Sequence, residues 1–197
     1  MKSERRPYRQ TARAQAAAGT HTRILDVATA EFLARWYDEV TLAAIARQAG
    51  VSQQTVINHF RSKEGLLEAC IEHLDPEQSR RAHRDDPVAG VVHDYERGGD
   101  ATIRMLALEE RVPALRVFLQ RGRDGHRAWV QEAFADRLPA DDGPAREQAI
   151  VMHLAATDIY VWKLLRRDMG MSREATTDAM RAMVDALAPS FTTPHPH

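Results

Sequence analysis

The sequence predicts an all-α chain of about nine helices. Apolar residues recur at spacings of three and four along nearly all of its 197 positions, the period of an amphipathic helix. No stretch alternates apolar and polar residues as a half-buried strand would. Prolines and glycines punctuate the periodic stretches and mark where helices begin and end.

Taken in order, Ile24, Ala28 and Phe32 recur every four residues, with Leu25 beside them. Leu42, Ile45, Ala46 and Ala49 follow the i, i+3, i+4, i+7 pattern. Leu66, Leu67, Cys70, Ile71 and Leu74 form a third stripe. The charged run DPEQSRRAHRDDP, with Pro76 and Pro87 at its ends, reads as a helix end and an exposed connection. A helix through Val88, Val91, Val92 and Tyr95 is expected to end at Gly98-Gly99. A short one from Ile103 to Glu110 is expected to stop near Pro113. The cleanest stripe is Leu115, Phe118, Leu119, Gly122, His126, Trp129, Val130 and Ala133, ending at Leu138-Pro139. Gly122 and Gly125 each weaken that helix by about 1 kcal/mol relative to alanine, and are candidates for a kink or a close helix approach. Pro144 suits a first helical turn, and its helix is expected to run to Gly170. Ser172 caps a last helix, with Met180, Met183, Val184 and Leu187 on one face and Pro189 beyond its end.

The totals exclude several classes. Hydrophobic residues are 44% and charged residues 28%, with a net charge of -1, so any attraction to a polyanion must be local. It is local: up to Ile24 the cations Lys2, Arg5, Arg6, Arg9, Arg13 and Arg23 face the single acid Glu4. Residues 1–19 therefore read as a basic arm that meets DNA, in a minor groove or along phosphates, or else as a solubilising tail. Cys70 is the one cysteine, so no internal disulfide forms. With no long apolar run and no apolar leader, a cytoplasmic protein without membrane contact is expected.

One stretch, IARQAGVSQQTVINHF at 45–60, changes character at its middle. Thr41 can cap the helix from Leu42 to Ala49, and Gly50 can turn the chain with positive φ. Val51 is an apolar plug. Ser52 caps a second short helix held to the core by Val56 and Phe60. This is a helix-turn-helix pattern. Its second helix carries Gln53, Gln54, Thr55, Asn58 and His59, polar and nearly uncharged. Glutamine and asparagine can bond adenine N6 and N7 in the major groove, and threonine can touch a thymine methyl or a phosphate. Arg61 and Lys63 flank this helix. Lys63 stands at a helix start capped by Ser62, where free backbone N–H groups would suit a phosphate.

On TLAAIARQAGVS, Thr55, the His59-Phe60 pair and SKEGLL, residues 21–67 resemble the DNA-binding domain of the TetR family of bacterial transcriptional regulators. The resemblance implies a helix-turn-helix head at 20–67, an effector-binding and dimerising helical body at 68–197, and a homodimer on a near-palindromic double-stranded DNA operator. It implies release by a small-molecule effector of unknown identity, and most simply repression. Three positions depart from the family pattern. Trp36 stands where glycine is usual; a left-handed conformation there would cost about 1–2 kcal/mol. Gln54 replaces a frequent glycine and adds a side chain able to read a base. Ile57 replaces a frequent tyrosine and removes a phosphate contact.

In the body, Phe118, His126, Trp129 and Phe134, with Met105, Leu108 and Met152, are candidate walls of an effector pocket; helical stripes of this kind are also ordinary core. Val151, Leu154, Asp158, Val161, Trp162 and Leu165, with Met180, Met183 and Leu187, are candidates for the dimer surface that the resemblance implies. Asp158 is the polar exception on its stripe and should have a partner, at a dimer seam or toward the pocket, unless the helix turns it to the edge. No cofactor and no enzymatic site are expected. GRDG follows no strand, and neither a His-Glu-x-x-His nor a Glu-x-x-His motif occurs. His73, His126 and His153 could meet at a metal only by folding chance, and Cys70 has no resolving thiol. Two other readings remain open: a helical small-molecule-binding protein with a vestigial head, and a regulator answering to a protein partner.

Overall fold

The computed structural model describes the backbone of residues 5–73 and 85–192 and the side chains of residues 17–70, 72–73 and 85–187. Every regular element among them is helical. The chain divides into two compact units, Met1–Pro76 and Glu77–His197.

The first unit comprises α1 (Arg5–Ala34), α2 (Leu42–Gln48), α3 (Gln53–Phe60) and α4 (Lys63–His73). Its core is the set of stripes legible in the sequence: Ile24, Ala28 and Phe32 of α1, Ile45 of α2, Val56 of α3, and Leu66 and Cys70 of α4 are all buried. Helix α1 begins well before the first apolar stripe, so the expected boundary between arm and head at residue 20 falls inside one helix. After α1 the chain turns through Trp36, whose carbonyl accepts the Glu39 N–H at 3.1 Å. Arg61 is the one non-glycine residue with positive φ among the described residues. The strain considered for Trp36 is therefore absent, because an ordinary turn replaces the left-handed one. Polar ties fix the helices: Arg23 Nε donates to Ala49 O at 2.9 Å, Gln48 Nε2 to Glu31 Oε1 at 2.9 Å, and Tyr37 OH to Glu64 Oε1 at 2.9 Å.

The second unit holds α5 (Pro87–Ala107), α6 (Pro113–Ala133), a short 3₁₀ turn at Ala135–Arg137, α7 (Pro144–Ala156), α8 (Ile159–Lys163) and α9 (Arg173–Thr192). Its core joins Val88 and Val92 of α5, Val130 of α6, Ile150 of α7, Trp162 of α8 and Met180 and Val184 of α9.

Three boundaries and one expected close approach differ from the sequence reading. Helix α5 does not stop at Gly98-Gly99 but runs on to Ala107. A Cβ at Gly99 would lie 2.6 Å from the Trp162 ring, so this glycine makes room for an indole rather than ending a helix. Gly122 and Gly125 face open space and mark no close approach. The helix expected from Pro144 to Gly170 is interrupted: α7 stops at Ala156, and Asp158 caps α8 by accepting the Tyr160 N–H at 2.8 Å. The last helix continues past Pro189 to Thr192, since a proline near a helix end forfeits little more than one backbone bond.

After α8 the backbone widens into a π-helical turn over Leu164–Asp168, which the Met169 N–H closes on Leu164 O at 2.9 Å. Arg166 and Arg167 leave this turn toward the same neighbour, α5. Arg166 Nε meets Glu96 Oε1 at 2.9 Å, and Arg167 meets Asp100 at 2.9 and 3.0 Å. Glu96 also accepts the Trp162 indole N–H at 3.0 Å, and the Arg167 guanidinium lies 4.5 Å from the Trp162 ring. Trp162, fully buried, thus has both its polar edge and its face engaged. The Arg167 guanidinium holds the Asp100 carboxyl below the usual carboxylate range.

Candidate nucleic-acid interface

The turn between α2 and α3 is built as the sequence requires. Gly50 has φ +66°. Its N–H reaches Arg47 O at 3.3 Å, and the Val51 N–H reaches Ala46 O at 2.9 Å. Those two bonds make a Schellman motif, which closes the orphan carbonyls of α2. Thr41 accepts the Ala44 N–H at 3.2 Å, and Ser52 accepts the Thr55 N–H at 3.1 Å. Val56 and Phe60 bury one side of α3.

The opposite side of α3 is polar. Gln53, Gln54 and Asn58 are exposed. Gln54 Nε2 donates to Asn58 Oδ1 at 2.9 Å, one turn along the helix. That bond leaves Gln54 its carbonyl oxygen and a second N–H, the acceptor and donor that adenine requires. Thr55 shares a hydrogen bond with the Ser52 hydroxyl at 2.8 Å, so both hydroxyls serve the cap first. His59 is turned aside, with its ring 5.7 Å from His21 and 5.9 Å from Phe60.

At the far end of α3 the backbone is strained. Arg61 has φ 67° and ψ −49°, and the Ser62 N–H bonds Phe60 O across it at 2.8 Å. This is a γ-turn of the rare positive-φ kind. In the sequence Arg61 reads as a cation and carries no signal for its conformation. Immediately after it, Ser62 accepts the Gly65 N–H at 3.1 Å and caps α4. A Cβ at Gly65 would sit 2.4 Å from Phe60 O, so glycine is what allows α4 to start this close to the end of α3.

Lys63 does not project freely. Its ammonium lies 4.1 Å from the centre of the Tyr37 ring, and burial pulls its pKa down. Tyr37, which no sequence pattern singles out, is thereby the floor under Lys63 and a donor to Glu64; burial pushes its own pKa up. The start of α4 is partly taken by Glu64. That carboxyl is held below its usual range chiefly by its own backbone N–H and by the Ser62 hydroxyl. The expected open phosphate seat at this helix start is therefore shared with an acid. Arg5, Arg6 and Arg9 lie in the first turns of α1, and their side chains are outside the described residues.

In the second unit the candidate pocket residues separate. Met105 and Leu108 are buried, while Phe118 and Met152 are half-buried. His126, Trp129 and Phe134 form a chain of rings, with centroids 5.6 Å apart at each step. A shallow depression of about 240 Å³ is lined by Phe134, Val88 and Val184 among charged residues including Arg137 and Arg181. Of the expected pocket set it holds Phe134 alone.

The residues expected at a dimer face divide by burial. Trp162 (0% exposed), Met180 (0%) and Leu165 (7%) lie in the chain's own core and cannot form a surface. The break at Thr157-Asp158 is the reason: a single helix to Gly170 would have kept Val151 and Trp162 on one stripe, and the interruption resets the phase. Leu154 and Leu187 are partly buried against the same core. Asp158 finds its partner in the backbone as the cap of α8. Val151 and Met183 remain exposed, as do Tyr160 and Leu164 on and just beyond α8.

A sequence profile described as bacterial regulatory proteins, tetR family, matches residues 24–70, the segment that carries the turn, both caps and α4. The HTH-type transcriptional regulator UidR of Escherichia coli K12 is 32% identical over 173 residues, which cover 85% of this chain and 75% of UidR. The chain belongs to the TetR family. The HTH-type transcriptional regulator BetI of Pseudomonas paraeruginosa is 34% identical over 131 residues, 57% of this chain; the match spans 66% of BetI, just under two thirds. Among solved structures, a TetR-family regulator from Mesorhizobium loti superposes with a TM-score of 0.63 at 18% identity, covering 88% of this chain and 97% of the other. One from Rhodococcus sp. gives 0.64 at 18% identity, covering 87% and 99%. At that identity they show the shared fold. No helix among the described residues is long and apolar enough to cross a membrane.

Within the tetR-family segment, α3 is the second helix of the helix-turn-helix. Ile57 is half-buried and brings no hydroxyl to the polar side of α3. Gln54 brings an amide already oriented by Asn58.

Proposed function

We propose that this regulator is a homodimeric repressor that reads a near-palindromic operator with α3 and is released by a small-molecule effector. One observation carries the reading: Gln53, Gln54 and Asn58 form an uncharged hydrogen-bonding row on a short helix fixed by a cap, a Schellman turn and two buried anchors. Neutral amides discriminate base edges, whereas a row of lysines and arginines would grip any duplex alike. The exposed apolar side chains Val151, Tyr160, Leu164 and Met183 support a face that a second copy covers. Two heads would then meet successive major grooves about 34–36 Å apart, or a multiple of it. The effector acts by preferring a body geometry that no longer fits that spacing, through its difference in affinity for the two states.

The test is selection of binding sites from a random duplex library at physiological salt. An inverted repeat is expected. No enrichment by folded, dimeric protein would overturn the reading in favour of a head that has lost its function.

Two substitutions probe the interface. Gln54→Ala is expected to relax base preference by about 1–3 kcal/mol at one position in each half-site, measured by binding to single-base operator variants. Equal affinity of the wild type for all four bases there would remove Gln54 from the readout. Arg61→Gly is expected to act in two directions. It relieves the γ-turn and stabilises the head by about 1 kcal/mol, and it lowers the salt dependence of operator binding by about one counterion. A thermal melt and a salt titration separate the two effects.

A further inference from the structure

Three helices of the second unit converge on the backbone break at Thr157. From α5, Tyr95 OH donates to Thr157 O at 3.0 Å. From α6, His126 Nε2 lies 2.9 Å from Thr157 Oγ1. The Thr157 hydroxyl itself donates to His153 O at 2.8 Å, so it can only accept from His126. His126 therefore carries its hydrogen on Nε2 and presents Nδ1 as a lone pair. Burial holds its imidazole below the usual range.

The second histidine obeys the same logic. His153 is fully buried. Its Nδ1 lies 2.8 Å from Ala149 O, and a carbonyl can only accept. The hydrogen is on Nδ1, so Nε2 is a bare acceptor. It is buried and has no hydrogen-bond partner among the described residues. A buried acceptor left without a donor is unfavourable, and such a group in a native structure calls for an explanation.

The His153 ring packs against an aromatic chain. Phe134 lies with its ring centroid 5.0 Å from that of His153, Trp129 stands edge-on to Phe134 at 5.6 Å, and His126 stacks on Trp129 at 5.6 Å. His126 and Trp129 are partly exposed, while Phe134 and His153 are buried. The rings thus run from the surface inward to the His153 ring. No metal-binding group of three or more His, Cys, Asp or Glu side chains forms among the described residues.

We propose that this ring chain is the effector site, and that its ligand is an uncharged aromatic molecule bearing a hydroxyl or N–H that donates to His153 Nε2. This rests on the effector-controlled reading above and names the chemistry of its ligand. The unpartnered lone pair of His153 Nε2 favours a donor and disfavours carboxylates and phosphates. The rings supply flat apolar faces. The specificity comes from the buried acceptor, because a site built around a polar group rejects the analogue that leaves it unpaired.

The test uses the full-length protein with phenol and its methyl-capped counterpart anisole as probes. The ¹⁵N shift of His153 Nε2 is followed by NMR in histidine-labelled wild-type protein. Phenol is expected to shift the resonance saturably and to bind about tenfold or more tightly than anisole. In His153→Phe that preference disappears. A His153 resonance that phenol leaves unmoved means that an interior water or nothing occupies the acceptor, and it overturns the proposal. So does equal binding of the two probes. If phenol binds through His153 yet operator affinity does not change, the site stands and the effector-controlled reading fails. If phenol does not reach His153 but another compound releases the operator, the reading stands and the site fails.

Discussion

Gly65→Ala is expected to abolish operator binding and to destabilise the first unit by about 1–3 kcal/mol. The added methyl would be placed 2.4 Å from the Phe60 carbonyl oxygen. That atom is backbone, already accepting the Ser62 N–H at 2.8 Å, and it cannot swing away as a side chain would. Relief requires α4 to move off the end of α3. The movement would break the Ser62 cap on α4 and disturb the γ-turn at Arg61. It would also lift Lys63 from Tyr37, since Lys63 and Gly65 share one turn of α4. Helix α3 keeps Gln54 and Asn58 but loses the support that aims them. Thermal unfolding together with a DNA titration decides the matter. Wild-type melting with wild-type affinity would mean that Gly65 is not the pivot described.

The second large effect lies in the other unit. Trp162→Ala should cost about 3–5 kcal/mol, because it empties a fully buried site and strands the Glu96 carboxylate without its indole donor. Gly99→Ala should cost about 1–3 kcal/mol for the opposite reason, overpacking against the indole at 2.6 Å. The two residues fill one volume, so their effects should not add. Trp162→Leu vacates the space that a methyl at position 99 needs. In that background Gly99→Ala should cost far less than it does alone. A double-mutant cycle from denaturant melts gives the coupling, and strict additivity would show that Gly99 and Trp162 do not share this contact.

These glycines also show how far the sequence can be read. Gly50 is legible because its role is local: a polar cap, an apolar plug and the spacing of two short helices identify a turn that needs positive φ. The polar face of α3 is legible for the same reason, since Ser52, Val56 and Phe60 decide within a few residues of one another which side of α3 is free. Gly99 reads as a helix end because the group that requires it, Trp162, is remote in the chain. Chain-local periodicity cannot register the bulk of a distant indole. The phase of the helices after Ala156 turns on one residue. Asp158 fits a helical stripe by spacing and a cap by chemistry, and the cap prevails, so Trp162 and Leu165 turn into the core. Arg61 carries no signal at all: a positive φ at a non-glycine is imposed by the packing of α3 against α4, not by the residue itself.

The wide turn at Leu164–Asp168 has a consequence for how this chain can vary. A π-helical turn fits one more residue into the span of an α-helical one, so it behaves as a tolerated insertion. Removing a single residue there would restore regular winding and rotate the downstream residues by about 100° relative to α8. Arg166 and Arg167 could then no longer both reach Glu96 and Asp100, and the clamp on Trp162 would lose a side. Homologues one residue shorter in this turn should therefore lack one of the two arginines, or one of the two acids on α5. The length of this turn and the charges across from it should be inherited as a set.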